Sequence, residues 1–428
     1  MMEALKWVNF IVTLVFAVSY SYQFLYVPLQ IILSRLKKNK ANLPDKPSGR
    51  RYAALICARN EEKVIADILE SINNQTYDKE LITVFVLADN CTDSTSDLAR
   101  EHGAVVYERH DTEHIGKGYA LDKLFKSIKE DYPEGFDGYF VFDADNLLSR
   151  DYIEQMDRKS LEGHDIITSY RNSKNYGDNW VSSGYGLWFL RESRYLNHAR
   201  SLLGTSCAVS GTGFMLSRRM VEELDGWKYH TLIEDIEFSI DQITKGRMVA
   251  FCETAELFDE QPVKFSQSWH QRLRWSKGYL QVLRRYGGRL FYGIVNGSFS
   301  CYDILMNIMP AFVLTAVTTV SNLILGVLGV VTGGNILIAL DSLGETLVSA
   351  YCLLLAVGGI TMITEWKHIR AKTWRKIFSV FTFPLFMFTF IPTALAAFFV
   401  KPEWKPIEHT VSASDIEKRD ESEKLPIH

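Results

Sequence analysis

The chain has 428 residues, and its 47 Lys and Arg residues nearly balance its 51 Asp and Glu residues, which gives a formal net charge of −4. This balance does not favour nucleic acid as a partner. The six cysteines are scattered without a CxxC pair or a zinc-ligand spacing, so we expect reduced thiols rather than a disulfide framework or a zinc site.

The N-terminal segment Trp7–Leu33 is almost free of charge and is long enough to cross a bilayer, which takes about 20 apolar residues in a helix. A basic cluster follows it at Arg35, Lys37, Lys38 and Lys40. Because basic loops stay on the cytoplasmic side, the cluster predicts a cytoplasmic location for the polar region that comes next. The long apolar run and the cations after it do not fit a cleavable signal peptide.

Between residues 52 and 146 the chain alternates short apolar runs with stretches of helical spacing. The predicted strands are YAALIC, ITVFVLAD, AVVYER and GYFVFDADN, and the predicted helices are VIADILESINNQ, SDLAREHG and GKGYALDKLFKSIKE. This β-α-β-α order predicts a mostly parallel sheet, and ligands bind beyond the carboxyl ends of the strands in such sheets. Polar residues gather at those ends, namely Asn60, Glu61, Asp89, Asp143 and Asp145.

Two acidic motifs are candidates for chemistry. FDADN places Asp143 and Asp145 one residue apart, as either a solvated turn or a site for Mg²⁺, which binds a few carboxylates together with substrate phosphates. In HTLIEDIEFSI, Glu234 and Asp235 either interact with the helix dipole or supply a poorly solvated base with a raised pKa. Upstream, the glycines around Thr212 in SGTGF either let the backbone approach a ligand or form a turn.

The motif QRLRW, at residues 271–275, lies where the polar region meets a more apolar one. On a helix, Gln271, Arg274 and Trp275 share one face. An arginine binds phosphate oxygens through its planar fork, and an indole offers a flat surface for a sugar ring. The same composition also suits a helix that contacts only lipid headgroups, and spacing alone leaves both readings open. Arg272 and Lys277 lie off the shared face, and we expect them to contact headgroups.

Seven motifs occur in order between residues 53 and 279, namely ARNEE, LADNCTDST, GKGYAL, FDADN, SGTGF, IEDIEFS and QRLRW. The set resembles the membrane-integrated family 2 glycosyltransferases, which include cellulose, chitin, hyaluronan and poly-N-acetylglucosamine synthases. The resemblance implies an α/β GT-A fold (a Rossmann-like mixed sheet) in a cytoplasmic domain, plus an α-helical transmembrane domain with interfacial helices. Two motifs depart from the common pattern, since many members have two adjacent acids where this chain has LADN, and TED where it has IED.

The resemblance also implies a role for each matched residue in an inverting transfer from a UDP-sugar. Asp235 would be the general base, and Asp145 would hold Mg²⁺ or Mn²⁺. Contacts to the donor and its nucleotide would come from Asn60, Glu61, Asp89, Lys117, Asp143, Gln271 and Arg274. Contacts to the acceptor would come from Gly211, Thr212, Glu234 and Trp275.

Three more apolar runs follow residue 300, at Cys301–Val331, Leu347–Ile363 and Ile377–Val400. We expect an N-terminal membrane helix at 1–34, a cytoplasmic GT-A domain at 35–269, interfacial helices at 270–300, about three membrane helices at 301–400, and a partly disordered tail at 401–428. Pro384 and Pro392 also permit a bent or re-entrant pair in place of a crossing. The stretch EWKPIEHT after it would then return to the active-site mouth, or anchor in the interface through its tryptophan.

The predicted protein is a multi-pass enzyme of the plasma membrane. It would transfer sugar from a UDP-sugar, with UDP-glucose favoured, to a growing β-linked polysaccharide such as cellulose or mixed-linkage glucan and extrude the polymer. The alternatives are a polymer of the N-acetylglucosamine or hyaluronan type, a membrane glycolipid made by single transfer, and a non-enzymatic membrane protein. The expected partners are the donor, the polysaccharide acceptor and the lipid bilayer, with a homo-oligomer or a secretion subunit left open.

Overall fold

A computed structural model describes residues 2–37, 47–308, 336–402, 409 and 411–416, together with 324, 327 and 331. The helices are α1 (Met2–Lys37), α2 (Ile65–Asn73), α3 (Thr95–Glu101), α4 (Lys117–Asp131), α5 (Tyr152–Ser160), α6 (Trp180–Arg191), α7 (His198–Leu203), α8 (Arg218–Leu224), α9 (Glu234–Thr244), α10 (Phe265–Val295), α11 (Phe299–Ile308), α12 (Ile336–Thr364), α13 (Thr373–Phe388) and α14 (Phe390–Phe399). The strands are β1 (Tyr52–Ala58), β2 (Ile82–Asp89), β3 (Val105–Arg109), β4 (Gly138–Asp143), β5 (Leu147–Leu148), β6 (Ile166–Ser173), β7 (Phe214–Ser217) and β8 (Ala250–Asp259).

The eight strands form one mixed sheet in the order β3-β2-β1-β4-β7-β6-β8-β5. Strands β1 to β4 are parallel, and β7 runs antiparallel to both of its neighbours. The β-α-β-α prediction is therefore confirmed for the first half of the sheet. In the register, Cys57 lies beside Asp143 and Asp89 lies beside Arg109, so the strand ends meet along one edge. Strand β4 ends at Asp143, earlier than expected, and Asp145 lies in the following turn.

Helices cover both faces of this sheet. Successive residues of β1 point to opposite faces, so Leu55 packs with α4 on one side and Ile56 packs with α2 on the other. The parallel strands read as nearly continuous apolar runs because both faces are buried. Each fully buried Leu or Ile side chain contributes about 1.5–3 kcal/mol. This core fixes the strand ends and hence the loops that carry the predicted motifs.

Helices α13 and α14 form one segment. This segment packs along its whole length against the α/β domain and α10. The two helices are separated at Thr389. Contacts along the segment are hydrogen bonds from Tyr176 to Ser379 (2.6 Å), from Arg272 to Thr389, and from Lys277 to the Ala397 carbonyl (2.9 Å). The chain before α13 also returns to β6, where the Tyr170 hydroxyl donates to Glu365 at 2.6 Å.

The expectation that Arg272 contacts headgroups is wrong. Arg272 is completely buried, and its guanidinium lies 4.9 Å from the Phe386 ring centroid and 4.8 Å from that of Phe390. Stacking on aromatic faces offsets part of the cost of burying the charge. The Lys277 ammonium binds the Ala397 carbonyl in the last turn of α14, where a cation complements the helix dipole. Both cations therefore fasten α10 to the C-terminal helices.

Among the described residues, two segments are long and apolar enough to cross a bilayer, Leu347–Thr364 and Thr373–Phe399. The expected N-terminal span lies within α1, which exposes apolar side chains such as Phe10 and Val18. Most of the expected span Cys301–Val331 lies outside the described residues.

Candidate active site

The loops after β1 and β2 are joined at the carboxyl edge of the sheet. Asn60 and Asn90 both have left-handed backbones, with φ of 57° and 54°, a conformation that Asn tolerates better than most residues. The Asn60 side-chain oxygen accepts from the Thr92 amide at 2.8 Å, and the Glu61 amide donates to the Thr95 hydroxyl at 2.8 Å. Asn60 and Glu61 thus lie at the predicted edge.

Asp89 is nearly buried and forms an ion pair with Arg109, whose Nη1 lies 2.6 Å from Asp89 Oδ1. The Asn90 side-chain nitrogen donates to the same oxygen at 3.0 Å and to the Asp111 carbonyl. The Asn90 side-chain oxygen accepts from the Asp111 backbone amide. An amide both donates and accepts, whereas a carboxylate only accepts. Asn90 therefore joins two loops through both a donor and an acceptor, whereas a second acid at this position would supply acceptors only. Arg109, the last residue of β3, is not among the residues that the motifs predicted for the site.

Lys117 connects three of the predicted motifs. It begins α4 directly after Gly116, whose φ of 136° suits glycine alone. Its ammonium pairs with Asp143 and donates to the Gly211 carbonyl at 2.8 Å. Burial lowers the pKa of Lys117, but Asp143 and Glu234 raise it by more, so the net shift is upward and the group stays charged.

The SGTGF loop is fastened to the end of β4 through Thr212. The Thr212 hydroxyl accepts from the Asp143 amide at 2.9 Å and donates to the Asn146 side chain, which also accepts from that amide at 3.0 Å. Asp145 is buried, and its Oδ2 accepts from the Glu260 amide at 2.7 Å. Burial raises the pKa of Asp145, but His409, Lys174 and the amide lower it, and the net shift is downward.

Glu234 and Asp235 form the first turn of α9. The Asp235 carboxylate faces the SGTGF loop, because its Oδ2 is 3.7 Å from the place where a Cβ on Gly211 would stand. Burial and the charge of Asp235 raise the pKa of Glu234 to about 7. Burial also raises the pKa of Asp235, against lowering by the Ile236 amide, Lys117 and Arg274. A carboxylate with a pKa raised towards neutrality suits general-base chemistry.

We expect Glu234→Gln to stabilise the protein at neutral and alkaline pH. An acid whose pKa is raised by folding contributes its stability below its unfolded pKa and loses that contribution as pH rises through the folded pKa, here from about 4.5 to about 7. The glutamine cannot ionise, so the melting temperatures of variant and wild type should differ more at pH 8 than at pH 5, with roughly 3 kcal/mol as the ceiling. Thermal unfolding in detergent at both pH values measures this, and an equal difference at both would contradict it.

Helix α10 brings QRLRW to the same place. The Arg274 guanidinium lies 3.4 Å from the Leu232 carbonyl, just before the two acids of α9. The Gln271 side-chain oxygen is buried and has no hydrogen-bond partner within the described part of the chain. A buried oxygen without a partner is costly, and a ligand hydrogen bond would satisfy it. Trp275 packs edge-on against Tyr185, with ring centroids 5.9 Å apart.

A residue from the C-terminal tail enters the site. His409 Nδ1 lies 2.9 Å from Glu61 Oε2, and the Val411 amide donates to Glu260 at 3.0 Å. Burial lowers the pKa of His409, but Asp145 and Glu61 raise it to about 10. Of the stretch EWKPIEHT at 403–410, the structure describes residue 409 alone, and its contact with Glu61 fits a return to the active-site mouth better than an interfacial anchor.

Three of the predicted donor residues, Asp89, Lys117 and Asp143, interact electrostatically with the thiol of Cys57. Burial raises the pKa of this thiol to about 12, the charge of Lys117 lowers it, and those of Asp89 and Asp143 raise it further. Trp275 packs against two apolar clusters. Among the described residues, no group of three or more His, Cys, Asp or Glu side chains has the geometry of a metal site.

Residues 49–278, more than half of the chain, match a family described as glycosyltransferase-like family 2. The chain belongs to this family.

Curated relatives of this family 2 glycosyltransferase include enzymes named for glycolipids and for polysaccharides. The chain is 24% identical over 288 residues to a probable glycosyltransferase, YdaM, of Bacillus subtilis, covering 62% of each chain. It is 23% identical over 276 residues to a beta-monoglucosyldiacylglycerol synthase of Nostoc, covering 61% of this chain and 55% of the relative. It is 22% identical over 272 residues to a poly-beta-1,6-N-acetyl-D-glucosamine synthase of Staphylococcus aureus, covering 61% and 62%. The family 2 chain thus matches 55–62% of these relatives' lengths.

Among solved structures, this family 2 glycosyltransferase is similar to the mannosyltransferase PcManGT from Pyrobaculum calidifontis in complex with GDP-Man and Mn²⁺. The TM-score is 0.54 at 15% identity, covering 92% of this chain and 98% of the other. The likeness establishes the GT-A-like mixed α/β fold that the motifs predicted.

Proposed function

We propose that this glycosyltransferase is an inverting, metal-dependent enzyme that uses a UDP-sugar, with UDP-glucose favoured. The observation that carries the proposal is the position of Asp235, a carboxylate with a raised pKa that faces the Gly211 backbone beside the Lys117–Asp143 pair. A base and a cation beside the same backbone segment are groups that a direct displacement can use.

In the proposed reaction the acceptor hydroxyl oxygen attacks the anomeric carbon of the donor sugar. Asp235 takes the hydroxyl proton as the new bond forms, and the bond from the anomeric carbon to the diphosphate oxygen breaks on the opposite side. The electron pair leaves with UDP, and the configuration at the anomeric carbon inverts. Glu234, with a pKa of about 7, is protonated in part at neutral pH and can donate to an acceptor oxygen.

The donor would lie along the carboxyl edge of β1, β2 and β4. We assign the nucleotide to Asn60, Glu61 and the Asp89–Arg109 pair, whose positions are fixed by the loop contacts. Lys117 and Arg274 would stabilise the negative charge that grows on the diphosphate, and the Gln271 oxygen would accept a hydroxyl.

The carboxylates of Asp143 and Asp145 fit a Mg²⁺ or Mn²⁺ ion that binds together with the donor. Two carboxylates are enough, because Mg²⁺ is held by one or two of them plus substrate phosphate oxygens. A buried oxygen, Asp259 Oδ1, has no hydrogen-bond partner among the described residues, and its carboxylate interacts electrostatically with both aspartates. When bound, the ion would neutralise charge on the leaving diphosphate.

We place the enzyme in the plasma membrane, with the catalytic domain at 35–269 on the cytoplasmic side, the N-terminal membrane helix at 1–34 and the interfacial helices at 270–300. The apolar surface of α1 and the two apolar C-terminal segments support this placement. Because His409 contacts Glu61, the tail lies on the same side as the catalytic domain. That side is consistent with a re-entrant α13–α14 pair.

For the product we propose a β-linked polysaccharide, held near Gly211 and Thr212 with its acceptor end on Trp275. A glycolipid made by single transfer is the second candidate, because relatives named for both products match the chain about equally well.

Product length distinguishes the two candidates. Membranes that contain the full chain are given radiolabelled UDP-glucose or UDP-N-acetylglucosamine, with Asp235→Asn membranes as the control. We expect hydrolase-sensitive label that remains in the aqueous and insoluble fractions. Label that partitions wholly into organic solvent would establish the glycolipid instead, and equal label in the control would refute both.

A further inference from the structure

A cavity of about 360 Å³ lies between α8, α9 and α10. Five cations line it, Lys228, Lys245, Arg247, Arg285 and Arg289. The proposed transfer reaction uses none of them.

The cations of this basic cavity outnumber the acids that neutralise them. Arg285 pairs with Glu237 at 2.6 Å, Arg289 and Lys245 share Asp241 at 3.3 and 2.6 Å, and Arg247 pairs with Glu223. Three carboxylates thus face five cations, so the cavity keeps a positive excess. Arg285 and Arg289 are exposed, and a guanidinium has five N–H donors, so one ion pair leaves donors available for a phosphate.

An apolar surface begins on the next turn of α10. Phe291, Tyr292 and Val295 are 66%, 72% and 69% exposed. Tyr292 follows Arg289 by three residues, which is a rise of about 5 Å along the helix axis. Aromatic side chains at such a boundary between cations and apolar residues are typical of the headgroup level of a bilayer.

This surface continues into α1. Phe299 packs edge-on against Tyr22, with ring centroids 5.6 Å apart. The preceding turns of α1 expose Val18, Val15 and Leu14. The basic cavity therefore borders the face that meets the bilayer in the membrane placement proposed above, on which this inference rests.

We propose that the basic cavity binds the phosphate of an anionic phospholipid, with the acyl chains along Phe291, Tyr292 and Val295. Charge complementarity selects this occupant, because the cationic group of a zwitterionic lipid would be repelled by the cations of the cavity. Continuity with the apolar surface favours a lipid over a free anion, which would leave that surface uncovered. Each cation near an anionic headgroup strengthens binding by about fivefold.

Thermal stabilisation by short-chain lipids tests the proposal without turnover. The full chain in a neutral detergent is titrated with dihexanoyl phosphatidylglycerol below its micellar concentration, with dihexanoyl phosphatidylcholine, and with glycerol 3-phosphate. We expect saturable stabilisation by phosphatidylglycerol alone. Arg285→Gln combined with Arg289→Gln should weaken its apparent affinity by at least about tenfold.

The control is Arg51→Gln combined with Arg100→Gln, because these arginines are also exposed and ion-paired but lie outside α10 and do not line the cavity. Its titration should match that of the wild type. Lys228→Gln, which breaks no ion pair described above, gives a second test if the double variant does not fold. Equal stabilisation by phosphatidylcholine, equal stabilisation by glycerol 3-phosphate, or an unchanged affinity in both cavity variants would overturn the proposal. Each of these results leaves the proposed transfer reaction unaffected.

Discussion

Asp235→Asn should lower kcat by about 10²- to 10⁴-fold, since the variant keeps the shape of the side chain but removes the base. The acceptor hydroxyl would then have to lose its proton to water. Donor affinity should change little, because Lys117, Asp143 and Arg274 remain in place. Calorimetric titration with UDP and Mn²⁺ separates the two quantities, and initial rates of UDP release give kcat.

The pH profile adds a test that a structural role for Asp235 would not pass. Because folding raises the pKa of Asp235, the acid limb of kcat/KM for the wild type should lie above the usual aspartate value of about 3.9. This limb reports the coupled Glu234–Asp235 pair as a unit. Asp97→Asn, an exposed acid on α3, is the matched control and should keep full activity. More than a tenth of wild-type activity in Asp235→Asn would remove it from the mechanism.

The parallel half of the sheet and the convergence of the motifs could be predicted from sequence because both depend on local rules. A parallel sheet is predicted when apolar runs of strand length alternate with stretches of helical spacing. The residues that follow the strands then lie together at the carboxyl edge of that sheet. Asp89 and Asp143 are the last residues of β2 and β4 and lie at this edge, as predicted. Asp145 differs, because the strand ended at Asp143 and the next residues turned.

The partners of these residues could not be predicted in the same way. Arg109 neutralises Asp89 because the parallel register of β2 and β3 sets them side by side, and a single sequence does not reveal register. Arg272 is buried because α13 and α14, more than 100 residues later, pack over it. The contact between Glu61 and His409 spans 348 residues. Packing across such separations leaves no periodic signal near either partner.

The return of His409 has a consequence for the donor site. Its imidazole binds Glu61, a residue that we assign to the nucleotide, and the adjacent backbone binds Glu260, whose amide holds Asp145. The described part of the tail thus contacts two of the loops that hold the proposed donor residues. A donor in that pocket must either share Glu61 with the tail or displace it.

Lys117→Met should lower kcat/KM by about 10²- to 10³-fold, which is typical for removal of one preorganised group that stabilises transition-state charge. The side chain is part-buried between Asp143 and the Gly211 carbonyl, and methionine has a similar length without the charge. The donor diphosphate would lose a cation, so the Kd for UDP should also rise. Titration calorimetry and UDP-release rates measure both effects.

The direction of the accompanying pH shift distinguishes an electrostatic role from a packing role. Lys117 lowers the pKa of Glu234 and of Asp235, so its removal must raise both. The acid limb of kcat/KM in Lys117→Met should therefore move to higher pH, whereas Lys117→Arg, which keeps the charge, should leave the limb where it is. A loss of activity with an unmoved acid limb would mean that Lys117 only supports the loop, and the charge network between α4, β4 and α9 would have no part in tuning the base.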